Sequence, residues 1–142
     1  MKDPSDAIRQ WVYDTLNGNV TYNSSAVSVY SFVPFDAAFP YIVIGDQSMS
    51  AEEGTKDCYI TNNDVMLEFY SSFDGNDATY AVVNSIADDS LQLLRTRTVQ
   101  TIIGYNPISI TLVGSLTDRL LFEDHIEVYK SLTINLILEE NE

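Results

Sequence analysis

The chain has almost none of the residue types from which most active centres are built. Its 142 residues include one cysteine, Cys58, and one histidine, His125. A lone cysteine excludes an intrachain disulfide and a multi-cysteine metal site, and it points to a reducing compartment. A zinc site would need more ligands than this one histidine and one cysteine. A Cys–His nucleophile pair would require the two to meet beside a third orienting group, and no local nucleophile motif accompanies either. His125 therefore reads as a turn residue and Cys58 as a small strand residue with a partly buried thiol. The six glycines, at 18, 45, 54, 75, 104 and 114, form neither a Gly-x-Gly-x-x-Gly pattern nor a Walker loop, which leaves nucleotide chemistry without a foothold.

Positive charge is equally scarce. Seven basic residues stand against 21 acidic ones, a formal charge of -14. Extensive phosphate contact is made mainly by Lys and Arg, so a direct grip on DNA is not expected. An acidic wall would instead repel a passing strand and keep it from sticking, while the plainer reading is that the charge serves solubility. No run approaches the roughly 18 apolar residues that span a bilayer, and residues 1–6 lack a basic region followed by an apolar one. A soluble, cytosolic chain is the expectation.

Acidic pairs are present, yet they do not converge. Glu52-Glu53 and Asp88-Asp89 are adjacent in sequence, and neighbouring side chains on a strand or helix point apart, so solvated surface explains them better than acid/base chemistry. Asp74, Asn76 and Asp77 resemble part of a calcium loop, but Gly75 comes too early and Ser85 stands where the twelfth-position glutamate belongs. Helix capping accounts for them. Tyrosines are plentiful, among them Tyr41, Tyr59, Tyr70, Tyr80, Tyr105 and Tyr129. Without a basic groove they suit interfaces better than base stacking.

The hydrophobic fraction of 45% and the length suffice for one domain with a real core. Residues 4–16 read as a helix: Pro4 suits its first turn, Asp3 can cap it, and Ile8, Trp11, Val12 and Leu16 share a face before Asn17-Gly18-Asn19 ends it. Residues 26–33 read as a strand, with Val27 and Val29 on one face, Tyr30 and Phe32 on the other, and Pro34 closing it. In Phe39-Pro40-Tyr41-Ile42-Val43-Ile44-Gly45-Asp46, the proline biases Phe39 toward an extended conformation and Gly45-Asp46 allow a bend or bulge. This strand is expected over 41–50, followed by a polar turn at Glu52-Glu53-Gly54-Thr55 and return pairing from near Cys58. Residues 64–72 alternate, with Val65, Leu67 and Phe69 on a face suited to burial and a mixed face opposite.

A helix over 78–94 should cover the sheet with a stripe of Val83, Ala87, Leu91 and Leu94. Residues 98–106 fit a short strand or a loop, and Gly104-Tyr105-Asn106-Pro107 reads as a turn. Ile108, Ile110 and Leu112 then alternate with Ser109, Thr111 and Val113, and Val128, Leu132, Ile134, Leu136 and Leu138 alternate with mostly polar residues, broken by Lys130. Residues 120–125 are the candidate hairpin connection between these strands.

In this order of elements, the chain resembles the tail completion, or tail terminator, proteins of long-tailed bacteriophages. The strand from Phe39 to Asp46, the strand Val65-Met66-Leu67-Glu68-Phe69-Tyr70-Ser71-Ser72 with its following helix and hairpin, and the closing segment 128–140 with its acidic end carry that resemblance. It implies an α+β fold, a mostly antiparallel sheet with two helices packed on one face and an extended hairpin, as a single domain. It also implies a structural virion protein rather than an enzyme, with no cofactor. Such a protein assembles in the host cytoplasm as a ring, usually a hexamer, which caps the tail tube, stops its polymerisation and docks the neck proteins of the head. DNA would pass through the ring without tight binding, and no membrane is involved. Head-closure, or stopper, proteins of the same virion are an alternative, as are a secretion-system component of related fold and a small-ligand-binding or enzymatic α+β domain. On this reading, the acidic turn with Glu52, Glu53 and Asp57 projects toward the lumen or an axial partner.

Overall fold

A computed structural model describes residues 2–51, 59–74, 78–95 and 102–141. Helix α1 spans Ser5–Leu16 with Pro4 at its N-cap. The Asp3 carboxylate accepts the Ser5 N–H at 2.9 Å and the Ser5 hydroxyl at 2.6 Å, which satisfies a first-turn donor and holds the Asp3 carboxyl below its usual pKa. Gly18, at φ +80°, follows the last turn in a left-handed conformation that costs glycine little. The expected face of Ile8, Trp11, Val12 and Leu16 is buried.

The segment after α1 departs from the sequence-based expectation. β1 (Thr21–Tyr22) and β2 (Ser25–Ala26) form a small hairpin turned by Asn23 and Ser24, both at positive φ. β3 is only Ser28–Tyr30, so the strand expected over 26–33 is split and shortened. Val27 donates its N–H to the Val20 carbonyl at 2.9 Å, which ties residues 20–27 into their own turn instead of the main sheet. Phe32 and Val33 are left outside any strand.

β4 (Tyr41–Ala51), β5 (Ile60–Phe73), β6 (Tyr105–Leu121) and β7 (Ile126–Glu140) join β3 in one sheet of order β3-β4-β5-β7-β6. β3 pairs with β4 in parallel, and every other neighbouring pair is antiparallel. The expected bulge in β4 is present: the register shifts between Ile44 and Gln47. A Cβ on Gly45 would stand 3.2 Å from the Met66 carbonyl oxygen, so glycine is what lets the bulge approach β5. Tyr105, Asn106 and Pro107, expected as a turn, instead open β6. Pro107 is tolerated because β6 is an edge strand and its register shifts there, so the missing N–H breaks no ladder bond. The turn lies just before, at Gly104 with φ +87°.

Helix α2 (Ala81–Arg95) begins where Thr79 Oγ1 accepts the Ala81 N–H at 3.2 Å. Gly75, Asn76 and Asp77, expected as its cap, lie outside the described residues. Both helices cover the same face of the sheet, α1 over β3 and β4, α2 over β5 and β7. Val65, Leu67 and Phe69 of β5 and Leu132, Ile134, Leu136 and Leu138 of β7 meet Ile8, Val12, Val83, Ile86 and Leu94 beneath them. Each fully buried aliphatic side chain contributes roughly 1.5–3 kcal/mol, and this layer is the main source of stability. Lys130 interrupts the β7 stripe as expected and reaches Asn84 Oδ1 of α2 at 2.9 Å, so its charge sits at the edge of the helix layer rather than within it.

Arg9 pins α1 to the bulge. Its guanidinium donates to the carbonyls of Ile44 (2.6 Å) and Gly45 (2.8 Å) and to Gln47 Oε1 (2.9 Å), while Gln47 Nε2 donates to the Ser5 carbonyl at 3.0 Å. The bulge leaves these carbonyls unpaired by the ladder, and the planar fork of Arg9 satisfies them together.

Candidate functional site

With both helices on one side, the other side of the sheet is left open among the described residues. Pairing register places Tyr41, Tyr70 and Tyr129 opposite one another there, with Tyr30 beside them. Their rings form a row across four strands, with centroids 6.0 Å apart for Tyr30–Tyr41, 5.2 Å for Tyr41–Tyr70 and 5.9 Å for Tyr70–Tyr129. Phe39 extends the row at 4.9 Å from Tyr41. The two inner pairs are stacked, so the rings cover each other's faces. Burial raises the pKa of Tyr70, and the Glu68 charge and the 3.3 Å hydrogen bond from the Tyr70 hydroxyl to Glu68 Oε2 push it further. Tyr41 is raised for the same first reason, helped by Glu127 and Glu68. These phenols stay protonated donors beside carboxylates.

The same parity puts Asp64 and Glu68 of β5, Glu127 and Glu139 of β7, and Asp118 of β6 on this open face. Asn135 donates to both Asn62 and Asp64 and closes a polar patch there. Every described lysine and arginine lies elsewhere: Lys2 at the N-terminus, Arg9 on α1, Arg95 on α2, and Arg119 and Lys130 in register with helix-side residues. Among the described residues, every charged side chain that the register places on the open face is therefore acidic.

Beyond the helix layer, β6 and the start of β7 extend as an arm. Its apolar residues point both ways: Leu112 and Leu121 stand opposite the helix-side Ile134 and Ile126, while Leu116 and Leu120 stand opposite Ser131 and Glu127 on the open face. All four are exposed, as are Val113 and Phe122, and among the described residues β6 has no strand on its outer side. Of the alternating Ile108, Ile110 and Leu112, Ile110 alone is buried, and Ile108 falls at the register shift between Pro107 and Ser109. The arm ends in a turn over 122–125, closed by the Phe122 N–H to the His125 carbonyl at 3.0 Å. His125 stacks on Phe122 at 4.6 Å and its Nδ1 lies 2.6 Å from Asp124 Oδ1. It is thus a hairpin turn residue, as expected, with its ring on an aromatic neighbour.

At the opposite edge, residues 31–39 lead from β3 to β4 and carry Phe32 and Phe35, 93% and 108% exposed. Ser31 and Phe32 border an open cleft of about 670 Å³ with Arg9, Asp46 and Gln47. The Arg9 guanidinium in this cleft is already engaged by three acceptors.

Asp88 and Asp89 are exposed on α2, as expected for solvated surface. Glu52, Glu53, Asp57 and Cys58 lie outside the described residues, so the acidic turn is not placed. What sequence reasoning missed is the acidic sheet face. Its signal was the shared parity of Asp64 with Glu68 and of Glu127 with Glu139, but only the cross-strand register shows that both sets lie on one side. No group of metal-binding side chains occurs among the described residues. No helix among them is long and apolar enough to cross a membrane. Comparison with protein-family models gives no match for this chain, and comparison with curated proteins gives none.

Proposed function

We propose that this chain is a structural ring subunit of a phage neck, which caps the tail tube, ends its polymerisation and joins the tail to the head. The observation that carries the assembly role is the β6 arm, an edge strand with exposed apolar residues on both of its faces. Such a strand reads as one meant to be covered on both sides, and soluble monomers seldom leave a long apolar edge open. The element order that carries the resemblance to tail terminators supports the viral setting. The acidic open face supports a channel role, because a wall of that sign repels a DNA backbone and lets it slide. Opposite edges of one sheet offer different surfaces, which suits the heterologous contacts of a closed ring.

The test combines the purified chain with tail tube protein during tube assembly. The expected results are a solution mass several times that of one chain and tubes whose growth stops at a capped end, seen by electron microscopy. A strict monomer that neither binds tube ends nor alters tube length would overturn the proposal.

A further inference from the structure

We infer that the segment 31–37 of one copy seats against the β6 arm of the next, with Phe32 and Phe35 filling the apolar rows around Leu116 and Leu120. This rests on the assembly part of the function proposed above and names the two surfaces that meet. Sheet order puts the surfaces at opposite edges of the molecule, so neither can cover the other within one chain. Both are too apolar to stand open. Phe32 and Phe35 are fully or almost fully exposed, and two such rings present roughly 300–400 Å² of largely apolar surface. A standard interface buries about 800 Å² on each partner, so the two rings supply roughly half of one side, and half-exposed neighbours such as Val33 together with the backbone supply the rest.

The local structure of the segment fits the role. Between β3 and β4 it makes one turn, Ala37 N–H to the Pro34 carbonyl at 3.2 Å, and Pro34 is compatible with lying along an edge strand. β6 offers the outer edge of a 17-residue strand, so backbone donors and acceptors are available to the residues that flank this turn. Because the contact joins two different surfaces, each copy uses one of each and the chain of contacts continues until rotation closes it. Self-pairing of two β6 arms would leave both phenylalanines in water.

The experiment uses two variants of the full chain, Phe35→Asp and Leu116→Asp, with sedimentation velocity as the readout. Each residue is exposed, so circular dichroism and thermal unfolding should match wild type; the milder pair Phe35→Ser and Leu116→Ser replaces them if either does not. Each variant alone should be monomeric where wild type assembles, at least tenfold weaker in self-association. Mixed in equal amounts, they should form a dimer and nothing larger, because one intact segment meets one intact arm and no further contact remains. Assembly of Phe35→Asp at wild-type strength, or a mixture that stays monomeric, overturns the contact while leaving a ring reading intact. A wild-type chain that stays monomeric at every concentration overturns both.

Discussion

Tyr70 concentrates the electrostatics of the open face in one side chain. It stacks between Tyr41 and Tyr129, and its hydroxyl is bonded to a carboxylate, so the folded state holds the phenolic proton more tightly than the unfolded chain, whose tyrosines titrate near 10. The sign follows from linkage. Below pH 10 both states keep the proton and the contribution is fully present; above it the unfolded chain releases the proton first, and stability falls as pH rises toward the raised folded value. Tyr41 and Tyr105 are shifted the same way, chiefly by burial, and steepen the alkaline limb. Tyr70→Phe keeps the ring and loses the proton. Its urea unfolding free energy at pH 7 should change by about 1 kcal/mol or less, and its decline between pH 10 and 12 should be shallower than that of wild type. An alkaline limb identical to wild type would show that Tyr70 does not hold its proton through the fold.

At the scale of elements, the joint between α1 and β4 is the most exposed to a single change. Among the described residues, Arg9 is the only side chain seen to satisfy the Ile44 and Gly45 carbonyls that the bulge turns away from the ladder. Arg9→Met keeps much of the packing and strands both acceptors, so chemical denaturation should show a loss of about 2–3 kcal/mol. Arg9→Lys should recover only part of it, because one ammonium cannot span two carbonyls and Gln47 as a planar fork does. The bulge itself was legible from Gly45-Asp46, and the core stripes of α1, β5, α2 and β7 were legible from apolar spacing, since local periodicity encodes which face is buried. Arg9 was not, because its role depends on a helix and a bulge 35 residues apart meeting in space. The start of β6 was misread for a related reason. Gly104 and Pro107 are strong turn signals, but the edge position tolerates the proline, and the alternation of Ile108, Ile110 and Leu112 says nothing about where the helix layer stops.

For the whole molecule, charge and apolar surface pull association in opposite directions. A formal charge of -14 on each copy makes the approach of two copies unfavourable, while the open β6 arm and the phenylalanines at the opposite edge favour contact. Added salt weakens only the first of these, since the screening length falls from about 30 Å at 0.01 M to about 10 Å at 0.1 M and the apolar gain is not screened. Self-association should therefore strengthen as sodium chloride rises from about 10 to 500 mM, a span that covers this change in screening length. Nucleic-acid binding carried by lysine and arginine has the opposite salt dependence, because it is driven by release of counterions. Sedimentation across a salt series, run with and without short duplex DNA, separates the two: larger assemblies at high salt with no co-sedimenting DNA at low salt is the expected pattern. Assemblies that dissolve as salt rises would mean that ion pairs hold the copies together, and the apolar edge would lose its role as the seat of assembly.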